Sequence, residues 1–253
     1  MTGQLMAGKT VLVTGASSGL GHHFAKVLAA AGAQVAVTAR RRDKLESLAA
    51  EIEKSGGKAL AVGMDVTDRT SVVDALDEIA ADLGVPNVLV NNAGIAAGGP
   101  ALDVTDEDWR KVVDTNLDGA WITAQETAKR MRDAGGGNIV NTASILGLRI
   151  AAGVAPYAIS KAALIQMTKV LALELARYSI RVNALAPGYI ETDLNAAYLQ
   201  SDAGQAMIKR VPMRRAGRFN DLDGPLLLLA SDASQYMTGA VVPVDGGHLV
   251  NTL

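Results

Sequence analysis

No cysteine occurs among the 253 residues, which excludes a disulfide frame, a thiolate nucleophile and a cysteine-based zinc site. Histidine is nearly as scarce. His22, His23 and His248 are the only three, so a histidine cage is not expected and no metal site is assigned. Charge of one sign is missing too: 24 Lys and Arg stand against 26 Asp and Glu, a formal net charge of -2, and no basic field exists to gather nucleic acid or anionic lipid. Small molecules and like subunits are the expected partners. Apolar runs such as Leu226 to Ala230 fall far short of the ~20 residues that span a bilayer. Met1 to Thr10 lacks the basic, apolar and small-residue succession of a signal peptide, so the expected location is cytoplasmic. No Pro/Ser-rich linker, charge block or low-complexity stretch divides the chain, and 49% hydrophobic with 20% charged residues suits one domain.

What is present is a regular alternation. Short β-rich runs at Thr10 to Thr14, Gln34 to Thr38, Ala59 to Gly63, Val88 to Asn91, Asn138 to Thr142, Arg181 to Ala186 and Val241 to Val244 are separated by helix-length segments. Helical patterns cover Gly19 to Ala31, Arg42 to Lys54, Thr70 to Leu83, Asp106 to Asp133 and Ala155 to Tyr178, with a late helix around Asp221 to Ala230. This order predicts an α/β fold: one doubly wound, seven-stranded parallel sheet with helices on both faces. Residues 191–217 break the rhythm. The stretch is polar, carries Met207 and Met213, and is read as a substrate lid within the single domain.

Directly after the first run comes Thr14-Gly15-Ala16-Ser17-Ser18-Gly19-Leu20-Gly21. Glycines there let a backbone approach closely, and the free N–H groups and dipole of the following helix favour anionic oxygen. Ser17 and Ser18 add hydroxyl donors. No Gly-Lys-Ser/Thr ending follows, so a dinucleotide diphosphate is preferred over a nucleoside triphosphate. Further on stand Asp65, Asn91-Asn92-Ala93-Gly94, Asn116, Ser144, Tyr157 with Lys161, and Pro187-Gly188.

In this order and over nearly its whole length, the chain resembles a short-chain dehydrogenase/reductase of the classical type, and is similar to its 3-oxoacyl reductase-like members. The resemblance implies a Rossmann fold, a nicotinamide cofactor on the Gly15 to Gly21 loop, adenine beside Asp65 and Val66, and the adenosine ribose near Asn92, Ala93 and Gly94. Pro187, Gly188, the Ile190 backbone and Thr192 would then hold the carboxamide end. An acid closing the second strand would select NAD, but that position is Ala39, followed by Arg40, Arg41 and Arg42. A guanidinium beside the ribose takes a 2′-phosphate, so NADP(H) is preferred, with NAD(H) possible, and Arg40 is the expected contact; Arg41 and Arg42 fit a solvated helix start.

Tyr157 and Lys161 are four apart in a helical pattern and share one face. A neighbouring ammonium is expected to lower the phenol's pKa toward working pH, making Tyr157 a proton donor to a carbonyl and a proton acceptor from an alcohol. Ser144 would hold the substrate oxygen; it sits in no Gly-x-Ser-x-Gly elbow and has no well-placed histidine, which disfavours a serine hydrolase. By resemblance, Asn116 steadies a water joining Lys161 to solvent; its plainer reading is a core amide bonded to backbone. Ile95, Ala96, Ile145, Leu146, Ala152, Val154, Tyr189 and Leu194 are expected around the reacting carbon. They are largely apolar and suit a neutral ketone or secondary alcohol; Arg149 nearby is read either as a partner for a carboxylate or phosphate on the substrate or, by preference, as a surface residue. An acyl-carrier or acetoacetyl-CoA reductase is the alternative. The basic residues that grip an acidic carrier in such relatives are replaced here by Gly135-Gly136-Gly137 and Tyr178. A non-catalytic NADP-binding regulator is disfavoured because both Tyr157 and Lys161 are present. Apolar surface on the two long helices, and a C-terminal Gly239 to Leu253 segment like that of family tetramers, predict a homotetramer.

Overall fold

The computed structural model describes residues 5–192 and 195–251. Seven strands, β1 (Thr10–Thr14), β2 (Gln34–Ala39), β3 (Lys58–Gly63), β4 (Val88–Asn91), β5 (Gly137–Thr142), β6 (Ile180–Pro187) and β7 (Val241–Val244), form one parallel sheet in the order β3-β2-β1-β4-β5-β6-β7. Register follows from the apolar runs: Val11 lies beside Val35 and Val88, and Val13 beside Val37 and Val90. Because both faces are covered, β1 is buried at all five positions rather than at alternate ones.

The period of two still sorts side chains between the faces. Val11, Val13, Val35 and Val37 point to one side. There they meet Phe24 and Leu28 of α1 (Gly19–Ala30), Leu45 and Leu48 of α2 (Arg42–Lys54), and Leu226 and Leu229 of α9 (Asp223–Ala230). Leu12, Ala36 and Leu89 point to the other, against Leu76 and Ile79 of α3 (Arg69–Leu83), Met131 of α5 (Gly119–Asp133) and Leu171 of α6 (Ala155–Leu175). No helix among the described residues is long and apolar enough to cross a membrane.

Two expectations change. The helix Asp106 to Asp133 runs unbroken but not regularly: α4 (Asp106–Val113) passes through a single π-helical turn at Asp114–Asp118 into α5. One extra residue per turn there displaces Asn116 from the regular ladder, a feature no apolar periodicity encodes. The helix Ala155 to Tyr178 tightens into a 3-10 turn after Leu175 and ends at Ser179, whose φ is 58°. Within the 191–217 segment lie α7 (Ala196–Gln200) and α8 (Asp202–Ile208), and its base is pinned where Glu191 N–H donates to Gly217 O and Gly217 N–H to Tyr189 O. Leu194 lies outside the described residues.

Candidate active site

In a parallel sheet all strands end at one edge, and the order reverses across β1, with β2 on one side and β4 on the other. That reversal opens a crevice at the carboxyl ends. The Gly15 to Gly21 loop fills its floor. A Cβ at Gly21 would stand 2.4 Å from Gly15 O and 2.6 Å from Asn92 Nδ2, so only glycine admits the loop this close to β4. Gly19, at φ 58°, has nothing within 4 Å of where a Cβ would be, so the space over the start of α1 is open.

The helix start itself is also uncommitted. Ser18 stands at the N-cap without a side-chain cap hydrogen bond, and the first turn of α1 holds no acid. By contrast, α4 begins with Thr105 accepting from Asp108 N–H and has three acids in its first turn. The positive end of α1 is therefore available to an anion, which a diphosphate fits. Asn92 serves the loop's framework: its Nδ2 donates to Thr14 O (3.0 Å), while Thr14 Oγ1 accepts from the N–H groups of Asn92 and Ala93.

Arg41, read from sequence as surface decoration, reaches across instead. Its Nη2 donates to Ser17 Oγ (2.9 Å) and Ser18 Oγ (3.1 Å), setting a guanidinium at the mouth of the loop. Against the opposing effect of burial, the Thr67 N–H and hydroxyl, which both donate to Asp65, hold that carboxyl below its usual range, with a smaller contribution from the charge of Arg40. The string Gly15-Ala16-Ser17-Ser18-Gly19 fits a hydrolase elbow by its letters. No histidine bonds Ser17 among the described residues; His22 faces Glu51 and His23 bonds Asp223. Val66 is buried against Gly119, leaving its backbone for any adenine contact.

The chemical end is assembled from three elements. Ser144 follows β5 and caps a 3-10 turn, Ile145–Gly147, by accepting from Leu146 N–H (3.1 Å), which leaves its hydroxyl hydrogen free to donate. Tyr157 and Lys161 lie on α6, which starts with Pro156 in its first turn, where a missing N–H costs nothing. The Lys161 ammonium is 5.7 Å from the Tyr157 ring centre and donates to Thr142 O (2.8 Å). The π turn brings Asn116 to the same place: Oδ1 accepts from Ile95 N–H (2.8 Å), and Nδ2 donates to Ile95 O (2.9 Å) and Ser160 Oγ (3.2 Å). Gly94 lies against both Asn116 and Lys161, close enough that a Cβ would touch them.

The electrostatics depart from the sequence expectation. Burial raises the Tyr157 phenol above its ordinary value; the nearby Ser144 hydroxyl acts in the opposite direction, and Tyr189 adds to the rise. Lys161, fully enclosed, is lowered to about 8 by desolvation. The ammonium therefore does not bring Tyr157 down in this state, because loss of hydration outweighs a charge held at this distance. Pro187-Gly188 is pressed onto the strand end, where a Cβ on Gly188 would stand 2.7 Å from Asp245 Cα. Ile190 is buried, and Thr192 N–H donates to Asn195 Oδ1 (2.8 Å).

Ile145 is buried, while Ile95, Leu146, Val154 and Tyr189 are partly buried and Ala96 is exposed. Sequence reasoning named Arg149 near this chamber but missed His248 beside it. Arg149 donates to His248 O, and the His248 ring lies against Tyr189 with centres 5.7 Å apart. His248 closes the chamber from the far end of the chain, and no local pattern around it signals that role. A cavity of about 740 Å³ opens at the opposite end of the sheet among Asn138, Arg181 and Tyr236, remote from these groups.

A family model described as enoyl-(acyl carrier protein) reductase matches residues 15–248. The chain is 42% identical over 253 residues to L-rhamnose 1-dehydrogenase (NAD(P)(+)) of Azotobacter vinelandii, covering 98% of this chain and 99% of that one. The chain belongs to the short-chain dehydrogenase/reductase family. Identity is 38% over 245 residues to 3-oxoacyl-[acyl-carrier-protein] reductase of Thermotoga maritima, with 97% and 99% covered. A gluconate 5-dehydrogenase from Burkholderia cenocepacia, solved with NADP and tartrate, superposes with a TM-score of 0.95 at 36% identity, covering 99% of each chain. This short-chain dehydrogenase/reductase is thus an oxidoreductase of CH–OH groups that works with a nicotinamide nucleotide.

Proposed function

We propose that the enzyme is an NADP(H)-dependent reductase and dehydrogenase that interconverts a ketone and a secondary alcohol, with Tyr157 as general acid and base. The observation that carries this reading is the convergence of Ser144, Tyr157 and Lys161 at the end of β5, backed by Asn116 on its π turn. Bound NADP(H) supplies or accepts the hydride. Tyr157 gives its phenolic proton to the carbonyl oxygen in reduction and takes the alcohol proton in oxidation, while the Ser144 hydroxyl holds that same oxygen. Lys161 stands beside the phenol as the cationic partner, and Asn116 anchors the wall behind it. Arg41 and Arg40, with no acid at Ala39, favour the 2′-phosphate of NADP(H) over NAD(H). Gly15, Ser17, Ser18, Gly19, Leu20 and Gly21 cradle the diphosphate. Asp65, Val66, Ala93, Gly94, Pro187, Gly188, Ile190 and Thr192 line the remainder of the cofactor path.

The 191–217 segment, clamped at its base, acts as the substrate lid. The second reading, a 3-oxoacyl-carrier or acetoacetyl-CoA reductase, is supported by the likeness to the Thermotoga maritima enzyme. Trp121 on α5 and Val170 and Leu173 on α6 are exposed on one side of the molecule, and Tyr236 and Leu228 are exposed near β7. These apolar groups support a homotetramer built from two contacts, and the enzyme is read as cytoplasmic. The deciding experiment is turnover of a carbonyl panel with NADPH: Tyr157→Phe abolishes turnover and keeps NADPH binding. Unchanged turnover in that variant overturns the proposal.

A further inference from the structure

Tyr157 and Lys161 ride on α6, yet the apolar residues of that helix do not decide which side faces the sheet. Leu164, Ile165, Leu171 and Ala172 are buried, while Ile159, Val170 and Leu173 are exposed. With apolar side chains all round, hydrophobic burial alone lets the helix turn about its axis at little cost. What distinguishes the inward face is polar. Ser160, Lys161 and Thr168 are all buried, and Thr168 lies two turns beyond Lys161 on the same side.

Thr168 receives a buried chain of hydrogen bonds. Asn91 Nδ2 donates to Ala120 O of α5 (2.8 Å) and to Asn141 Oδ1 (3.2 Å), Asn141 Nδ2 donates to Thr168 Oγ1 (2.9 Å), and the Thr168 hydroxyl donates to Leu164 O (2.8 Å). Asn91 on β4 and Asn141 on β5 are paired directly across the sheet, and all three side chains are buried. Both ends of the Asn141 amide and both functions of the Thr168 hydroxyl are used, so a shift of α6 along or about its axis leaves a buried polar group unmatched. An apolar side chain at either position tolerates such a shift.

The neighbours of these residues do the chemistry. Thr142, next after Asn141, takes the Lys161 ammonium on its carbonyl (2.8 Å), and Ser144 follows two residues later. The turn that Ser144 caps rests on α6 at Lys161 itself, where a Cβ on Gly147 would stand 2.7 Å from the Lys161 carbonyl group. Of these three meetings between the β5 end and α6, only the Asn141–Thr168 bond is both directional and independent of the catalytic lysine.

Resting on the acid–base reading of Tyr157 and Lys161, we infer that Asn141 and Thr168 are positioning residues, whose hydrogen bond fixes the rotation of α6 so that Tyr157 and Lys161 face Ser144 at the end of β5. Both are enclosed in the core and act through the strand and helix that carry the reacting groups.

The test is steady-state kinetics of the full chain with NADPH and a carbonyl that the wild type reduces. Thr168→Val keeps the side-chain shape and removes its hydrogen bonds, whereas Thr168→Ser keeps the hydroxyl. In the valine variant kcat falls about tenfold with the carbonyl KM little changed, and in the serine variant it stays within about threefold of wild type. The apparent pKa of the oxidative reaction rises in the valine variant, because the phenolate loses groups aligned to it, and returns toward the wild-type value with serine. Asn141→Ala gives the same loss from the strand side, and the double variant loses no more than either single one. Thr123→Val is the control: that hydroxyl is buried on α5 and bonds Gly119 O of its own helix (2.8 Å) with no strand partner among the described residues, so kcat and the pH profile stay as in wild type. Where valine at position 168 prevents folding, Thr168→Ala and Thr168→Ser differ by the hydroxyl alone, and the serine variant is about tenfold the more active. A wild-type kcat and pH profile in Thr168→Val, a serine variant as impaired as valine or alanine, additive losses in the double variant, or an equal loss in Thr123→Val overturns the inference. Failure of the acid–base reading is separate: it shows as turnover retained in Tyr157→Phe.

Discussion

Gly19 and Gly8 both hold a left-handed backbone, at φ 58° and φ 74°, and neither has an atom within 4 Å of the place a Cβ would take. They differ in what the empty space is for. Gly8 is exposed in a turn before β1, whereas Gly19 opens the helix whose N-terminus has no cap and no acid. Substituting alanine at either one imposes the same backbone strain, about 1–2 kcal/mol. At this chain length roughly 1 kcal/mol moves the melting temperature by about 2–4 °C, so both variants melt about 2–8 °C lower without nucleotide. At Gly19 the new methyl also enters the volume of the diphosphate. Lifting that group off even one N–H forfeits a hydrogen bond to a charged acceptor, about 1.5–3 kcal/mol, which is a tenfold or greater rise in the NADPH dissociation constant. Melting with and without NADPH separates the two effects, because the cofactor's stabilising shift tracks its affinity. Gly8→Ala keeps the full shift and Gly19→Ala loses most of it. Equal shifts in the two variants would refute the cradle.

Three further outcomes follow from the geometry. Lys161 binds its proton less tightly folded, at about 8, than unfolded, at the usual 10.5. Its burial therefore destabilises the fold fully below pH 8, and the penalty, about 3 kcal/mol, is relieved as pH rises toward 10.5. Lys161→Met removes this penalty while losing the bond to Thr142 O, about 1 kcal/mol, so the inactive variant melts higher than wild type at pH 7 and loses that advantage near pH 10.5; denaturant titration at the two pH values checks this. Arg41→Ala raises the NADPH Michaelis constant at least fivefold and leaves that for NADH unchanged, and Arg40→Ala has the smaller effect; steady-state kinetics with both cofactors decides the order. Ser160→Ala takes an acceptor from Asn116 Nδ2 and a donor from Tyr157 O, costing about 1 kcal/mol of stability and lowering kcat severalfold with KM little changed, and an unaltered kcat would deny Ser160 a positioning role.

The sheet was legible because each of its strands is a local apolar run with turn residues on both sides, and parallel order follows from the helices between them. The glycine loop was legible for the same reason: Gly15, Gly19 and Gly21 are spaced for a turn and a helix start within eight residues. What escaped the sequence depends on distant chain segments meeting. The π turn at Asp114–Asp118 is held by Asn116 clasping Ile95, 21 residues earlier, so no window of helix periodicity could register it. Arg41 reads as part of a solvated helix start, with Arg40 as the contact, until β1 and β2 pair and place Arg41 above Ser17 and Ser18. His248 lies some ninety residues beyond Tyr157 and enters the chamber only because β7 pairs with β6 and delivers the Asp245 turn to the strand ends.

The same long-range closure decides how the catalytic pair rests. Treated as neighbours on one helix face, Lys161 should pull a proton from Tyr157. Once β5, α6 and the π turn close around them, burial acts on both groups against their charged forms, raising the phenol and lowering the ammonium. As pH rises, Lys161 then gives up its proton, near 8, before Tyr157 does. At neutral pH the phenol is uncharged and its partner mostly protonated, so the unloaded site is set as a proton donor, the state needed to reduce a carbonyl. To serve as a base, Tyr157 must keep the stabilisation of its phenolate that the Ser144 hydroxyl already gives and gain more on binding. A pH profile of the oxidative reaction should therefore report an apparent pKa below that of the free enzyme's phenol, and Ser144→Ala should move it upward. An oxidative profile unmoved by that substitution would show that Ser144 does not set the basicity of Tyr157.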